Sequence, residues 1–168
     1  MPDRKTLERA QQDKAEGKSP STQAGEFVRE EIHHVREGKH GARSPQQAIA
    51  IGLSEARRAG IDVKPPAPGK TSESTRRKAE RDYERGHGEG TPRRTSARRS
   101  AAASRALKRE SHQSASRRSL ASQAQSAASR RTSTQRSAAA RQASQTKGSA
   151  RRSSSARKAA RTRSRRRS

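Results

Sequence analysis

Cysteine is absent from this chain, which excludes disulfides and thiolate metal sites. Aromatic residues are almost absent too: Phe27 and Tyr83 are the only two, and hydrophobic residues of every kind make up 25 % of the sequence. That share is well below that of an ordinary globular domain and leaves little material for a large core. Apolar runs are short. The longest covers residues 48–53, whereas a membrane-spanning helix needs about 20 residues. The opening stretch MPDRKTLERA has no apolar signal-peptide core. These absences predict a cytoplasmic protein without membrane insertion.

The signatures of catalysis are missing as well. The sequence contains no phosphate-loop Gly-Lys-Ser/Thr and no dinucleotide fingerprint, and its many serines lack a nucleophile-elbow setting. The acidic pairs Glu30/Glu31 and Glu80/Asp82 read as surface helix charges. We therefore expect no enzyme activity, no cofactor and no small-molecule substrate. A metal site is not expected either. His33 and His34 are adjacent, so on a helix they point about 100° apart; with His40 they read as exposed histidines.

What the second half lacks is negative charge. Residues 93–168 hold 20 Arg and 3 Lys against a single acid, Glu110, and so carry +22 of the chain's +25. Residues 1–92 are nearly balanced. A pI near 11.9 favours polyanionic partners. Apart from two leucines the tail is mostly Arg, Ser and Ala, and the basic groups repel one another. Such a segment has little apolar surface to offset the entropy of folding.

Taken in order, residues 3–16 favour helix by propensity and stop at Gly17. Ser19-Pro20 reads as a cap followed by proline in the first turn, with a helix starting there or resetting at Gly25. Phe27, Val28, Ile32 and Val35 recur at helical spacing up to Gly38. Ser44-Pro45-Gln46-Gln47 is the clearest boundary: Ser44 caps, Pro45 fits the first turn and Gln47 completes a capping box. The next helix places Ala48, Ile49, Gly52, Leu53 and Ala56 on one stripe and ends at Gly60, with Ile61 folding back. Gly52 costs about 1 kcal/mol against Ala in a helix, which close approach of two helices would offset. The expected hairpin core is Phe27, Val28, Ile32, Val35, Ile49, Leu53 and Ile61. So small a core needs help from helix 3–16 or from a homodimer through the head.

The fold expected is mostly disordered with a small all-α head: an antiparallel helical hairpin plus an Arg/Ser/Ala-rich cationic tail. Its parts are a marginal N-terminal helix over 1–18, the hairpin head over 19–61, a linker over 62–92 carrying a charged, transient helix at 72–85, and a disordered basic tail over 93–168. The tail is expected to become helical in part when bound.

The stretch around Ser44, 47–54 and 56–60 resembles small bacterial proteins of unknown function in which an S-x-x-Q-A-I-A-I-G-L-S-x-A-R-R-A-G helix precedes a basic tail. The resemblance implies a bacterial source and a family often supposed to bind DNA, with no established activity. The tail is similar in kind to bacterial histone-H1-like and protamine-like arms, using Arg and Ser more than Lys and Pro.

The expected function is sequence-nonspecific DNA binding of the nucleoid-associated kind. Phosphate contacts are assigned to Arg93, Arg94, Arg98, Arg99, Arg117, Arg118, Arg130, Arg131, Arg151, Arg152, Arg165, Arg166 and Arg167. Lys39, His40 and Arg43, just before the second hairpin helix, form a candidate phosphate site in the head. Gly38-x-x-Gly41 has the spacing of a KH clamp, but no strand pattern accompanies it. Two alternatives stand beside this reading: RNA binding or ribosome association through the same arm, and an adaptor whose head holds a protein partner. Arg93-Arg-Thr-Ser96 and its relatives resemble substrates of basic-directed kinases; a bacterial source favours no modification.

Overall fold

The computed structural model describes residues 2–88 and 96–165. All regular structure among them is helical. The chain divides into two compact units, Met1–Gln123 and Ala124–Ser168.

In the first unit, α1 (Arg4–Ala15) leads into α2 (Pro20–Arg36), and α3 (Pro45–Arg58) returns against it. Three pairings fix the direction. Phe27 and Ala56 share one buried cluster, Val28 faces Gly52, and Val35 and Ala48 share a second cluster. Residue numbers rise along α2 as they fall along α3, so the two are antiparallel. Helix α2 begins at Pro20, behind Ser19, and runs through Gly25 without a reset. The close approach expected at Gly52 is present: a Cβ there would lie 2.7 Å from the Val28 Cα. Ser44 accepts a hydrogen bond from the Gln47 amide at 3.2 Å. The Gln47 side chain in turn accepts from the Arg43 amide at 2.8 Å, so the box closes one residue before the cap.

Alanine fills much of the interior. Ala10, Ala24, Phe27, Ala56 and Ile61 form one cluster, with Leu7, Leu53 and Val63 packed on it. Val35, Ala42, Ala48 and Ala115 form the other, with Ile32 alongside. Helix α1 thus supplies burial to the hairpin through Ala10. It is tied to α2 by Arg9–Glu26 at 2.7 Å and by the Asp3 amide, which donates to Glu30 at 2.7 Å. Helix α4 (Glu73–Gly86), within the expected linker, packs on α3. Ala79 is buried, Ser54 donates to Asp82 at 2.5 Å, and Tyr83 donates to Asp62 at 2.6 Å.

The expectation of a mostly disordered chain is overturned here. Helix α5 (Ala97–Lys108), a 3₁₀ turn (His112–Ala115) and the start of α6 (Arg117–Ser129) belong to the first unit. Backbone groups join this part of the tail to the head. Gly41 donates to the Leu107 carbonyl at 2.9 Å and Ala42 to the Ser111 carbonyl at 3.1 Å. The Arg36 guanidinium donates to the Ala115 carbonyl at 2.8 Å. Gly41 is indispensable to this seat, because a Cβ there would come within 1.9 Å of the Glu110 carbonyl oxygen. Ala115, fully buried, completes the second cluster. The tail needed no long apolar run, since methyl groups and backbone carbonyls were enough.

The second unit contains the end of α6 and α7 (Ser133–Arg165), 33 residues long, or about 50 Å at helical rise. Helix propensity accounts for it: Ala, Arg and Gln are good formers. Thr132 accepts from the Gln135 amide at 3.2 Å, and Gln135 accepts from the Thr132 amide at 3.1 Å, a closed capping box. No helix among the described residues is long and apolar enough to cross a membrane.

Candidate functional site

The basic residues of the C-terminal half are arranged by helix starts. Ser96 accepts from the Arg99 amide at 3.2 Å and caps α5. Ser116 accepts from the Ser119 amide at 3.2 Å at the head of α6. Arg98, Arg99, Arg117 and Arg118 therefore sit in first helical turns, and Arg130 and Arg131 lie between α6 and α7. All six are exposed, as are Arg105, Arg109, Arg136, Arg141, Arg157, Arg161 and Arg163. The positive end of a helix dipole disfavours cations. Two Arg pairs placed there cost helix stability unless an anion is also present. The backbone of Arg151, Arg152 and Arg165 is within α7, while their side chains, like Arg93, Arg94, Arg166 and Arg167 altogether, lie outside the described residues.

The three residues of the head loop do not converge on a common point. Lys39 faces Glu37 at 3.3 Å, His40 faces Glu31 at 3.5 Å, and Arg43 faces Glu110 at 3.7 Å. The Lys39 ammonium holds the Glu37 carboxyl below its ordinary value. The loop amides of Gly41 and Ala42 are engaged by the tail.

An unforeseen feature lies beneath that loop. Glu30 and Glu31, expected on the surface, are 6 % and 2 % exposed. Charged residues on an amphipathic helix read as solvated, yet Glu31 lies four residues from both Phe27 and Val35, on the buried face of α2. His34 and His40, also expected to be exposed, are largely buried beside them; His33 faces outward toward Glu37. His34 Nε2 lies 3.7 Å from Glu30 and 4.0 Å from Asp3. The two imidazoles meet edge to face, 6.2 Å between centroids. Burial raises the Glu31 carboxyl above its ordinary value, with His40 pulling it back. Glu30 Oε2 and Glu31 Oε1 are buried without a hydrogen-bond partner.

These helices define a small all-α chain with a hairpin centre. Residues 13–67 match the model of a family of unknown function, DUF6496. The match covers α2, α3 and the residues of the buried cluster other than Asp3, and leaves out α4 through α7. It agrees with the likeness to proteins of unknown function carried by Ser44 and 47–60, and it brings no activity with it. No curated protein and no solved structure matches the chain.

Proposed function

We propose that this protein binds duplex DNA without sequence preference through the exposed arginines of its C-terminal half. The observation that carries the reading is the one-sidedness of charge on a helical scaffold. Residues 124–168 hold 14 basic residues and no acid, and every described Arg side chain among them is exposed. Duplex DNA presents one phosphate charge per about 1.7 Å of axis, and neutralising it releases counterions. First-turn Arg pairs at α5 and α6 add a second reason, because a phosphate there would satisfy both the guanidinium groups and the dipole. Phosphate contacts position without reading bases, so selectivity among sequences should be poor. The scarcity of aromatic side chains argues against a stacking platform for single strands.

The test is the salt dependence of binding by the full chain. With about ten phosphates neutralised, log K should fall with log salt at a slope near −9. Replacing Arg130, Arg131, Arg136 and Arg141 by Gln should make that slope shallower by about 4. A slope near −2 in the unaltered protein would overturn the proposal. Displacement of the duplex by an equal mass of structured RNA, with no reverse displacement, would assign the same surface to RNA.

A further inference from the structure

We infer that Glu31, His34 and His40 form a binding site for one divalent transition-metal ion, Zn²⁺ being the best match. One carboxylate oxygen and one nitrogen from each ring lie within 4.8 Å of one another. Tetrahedral zinc with bonds of about 2.1 Å needs donors about 3.4 Å apart. The three groups therefore need to close by little more than an ångström, within the reach of side-chain torsions.

Three features separate this cluster from an ordinary group of surface acids. First, it is interior: the side chains of Glu30 and Glu31 are 5 % and 3 % exposed. Each carboxylate keeps one buried oxygen with no partner. Burying such an oxygen unpaired is costly, and a cation held by the Glu31 carboxylate would offset that cost for Glu31. Second, His40 is held as metal ligands usually are. Its Nδ1 lies 3.2 Å from the Gly41 carbonyl. A carbonyl can only accept, so Nδ1 donates there and Nε2 is the ring nitrogen that faces the Glu31 carboxylate. Nε2 and the Glu31 Oε2 are 3.5 Å apart, close to the donor spacing of about 3.4 Å that tetrahedral zinc needs. Third, Glu30 stands where an outer carboxylate would orient His34. It lies 3.7 Å from His34 Nε2 and is itself fixed by the Asp3 amide at 2.7 Å. Asp3, Glu30 and His34 make a second close group. It shares His34 with the first.

The donor set selects the metal. Two imidazoles and a carboxylate suit Zn²⁺ and its first-row neighbours, whereas Mg²⁺ and Ca²⁺ prefer oxygen alone. Three protein ligands leave a fourth position for water. The site also has a structural consequence. It would link α2 to the 38–43 loop, whose Gly41 and Ala42 amides seat residues 107–111.

The test uses the full-length protein, stripped with chelator and titrated with Zn²⁺ by calorimetry and with Co²⁺ by its ligand-field absorption. We expect one equivalent bound, and a Tm that rises with the logarithm of free Zn²⁺. Glu31→Gln and His40→Gln should each weaken binding by at least about tenfold, while His33→Gln leaves it unchanged. Far-UV circular dichroism of each variant checks its helices. The wild-type Co²⁺ stoichiometry decides the matter without any variant: no bound equivalent under saturating Co²⁺ means that the cluster is a histidine–carboxylate contact and nothing more, and the inference fails. It fails equally if folded Glu31→Gln and His40→Gln variants bind as the wild type does, or if Mg²⁺ competes on equal terms.

Discussion

Glu73 shows how a single exposed residue shapes behaviour. It accepts hydrogen bonds from Arg76 at 2.8 Å and from Arg77 at 3.1 Å, one helical turn along α4. These bonds lower its carboxyl to about 2. The folded value lies below the unfolded one, so the contribution is present above the unfolded value of about 4.5. It is lost as pH falls toward about 2. An acid titration followed by circular dichroism should show Glu73→Gln flattening the helix loss over that window. Gly41 and Gly52 act through what they lack. At Gly52, Ala would gain about 1 kcal/mol of helix propensity, yet its methyl would sit 2.7 Å from the Val28 backbone. Overpacking of that kind costs about 1–3 kcal/mol, so Gly52→Ala should lower Tm despite the better helix former. Gly41→Ala should act more locally, speeding hydrogen exchange at the Gly41 and Ala42 amides because the 107–111 carbonyls can no longer approach.

At the scale of elements, the hairpin was readable because its signals are local. Ser44-Pro45 marks the start of α3, and Gly38 and Gly60 lie just past the helix ends with positive φ. Ser44→Ala should cost about 1 kcal/mol, measured by denaturant unfolding. The docking of α5 and the 3₁₀ turn was hidden for a physical reason. It rests on the carbonyls of Leu107, Ser111 and Ala115, groups that every residue carries and no periodicity reveals. The caps Ser96 and Ser116, each just before an Arg pair, and Thr132, just after one, were in plain view, but abundant serine masked them. The Glu30–Glu31 cluster was illegible for a third reason. Glu31 falls four residues from both Phe27 and Val35, on the buried stripe of α2, but two adjacent acids read as solvated charges.

Over the whole molecule, charge and helix are in tension. Within α7, Arg157, Arg161 and Arg165 follow one another four residues apart, an arrangement of like charges that weakens a helix. Screening should relieve it, because the Debye length shrinks from about 30 Å at 0.01 M to about 10 Å at 0.1 M salt. The far-UV helical signal should therefore rise with sodium fluoride over that range, and rise further with a saturating DNA duplex. A signal indifferent to both would show that repulsion does not limit the helix.

The methyl-lined interior has a thermal consequence. Unfolding a protein whose buried apolar side chains are mostly alanine wets little hydrocarbon, and hydrocarbon hydration is what gives unfolding its large heat-capacity increment. Scanning calorimetry should find an increment per residue below the usual 12–15 cal/mol/K or so. Stability would then change only gently with temperature, resisting cold as well as heat without ever reaching a high maximum.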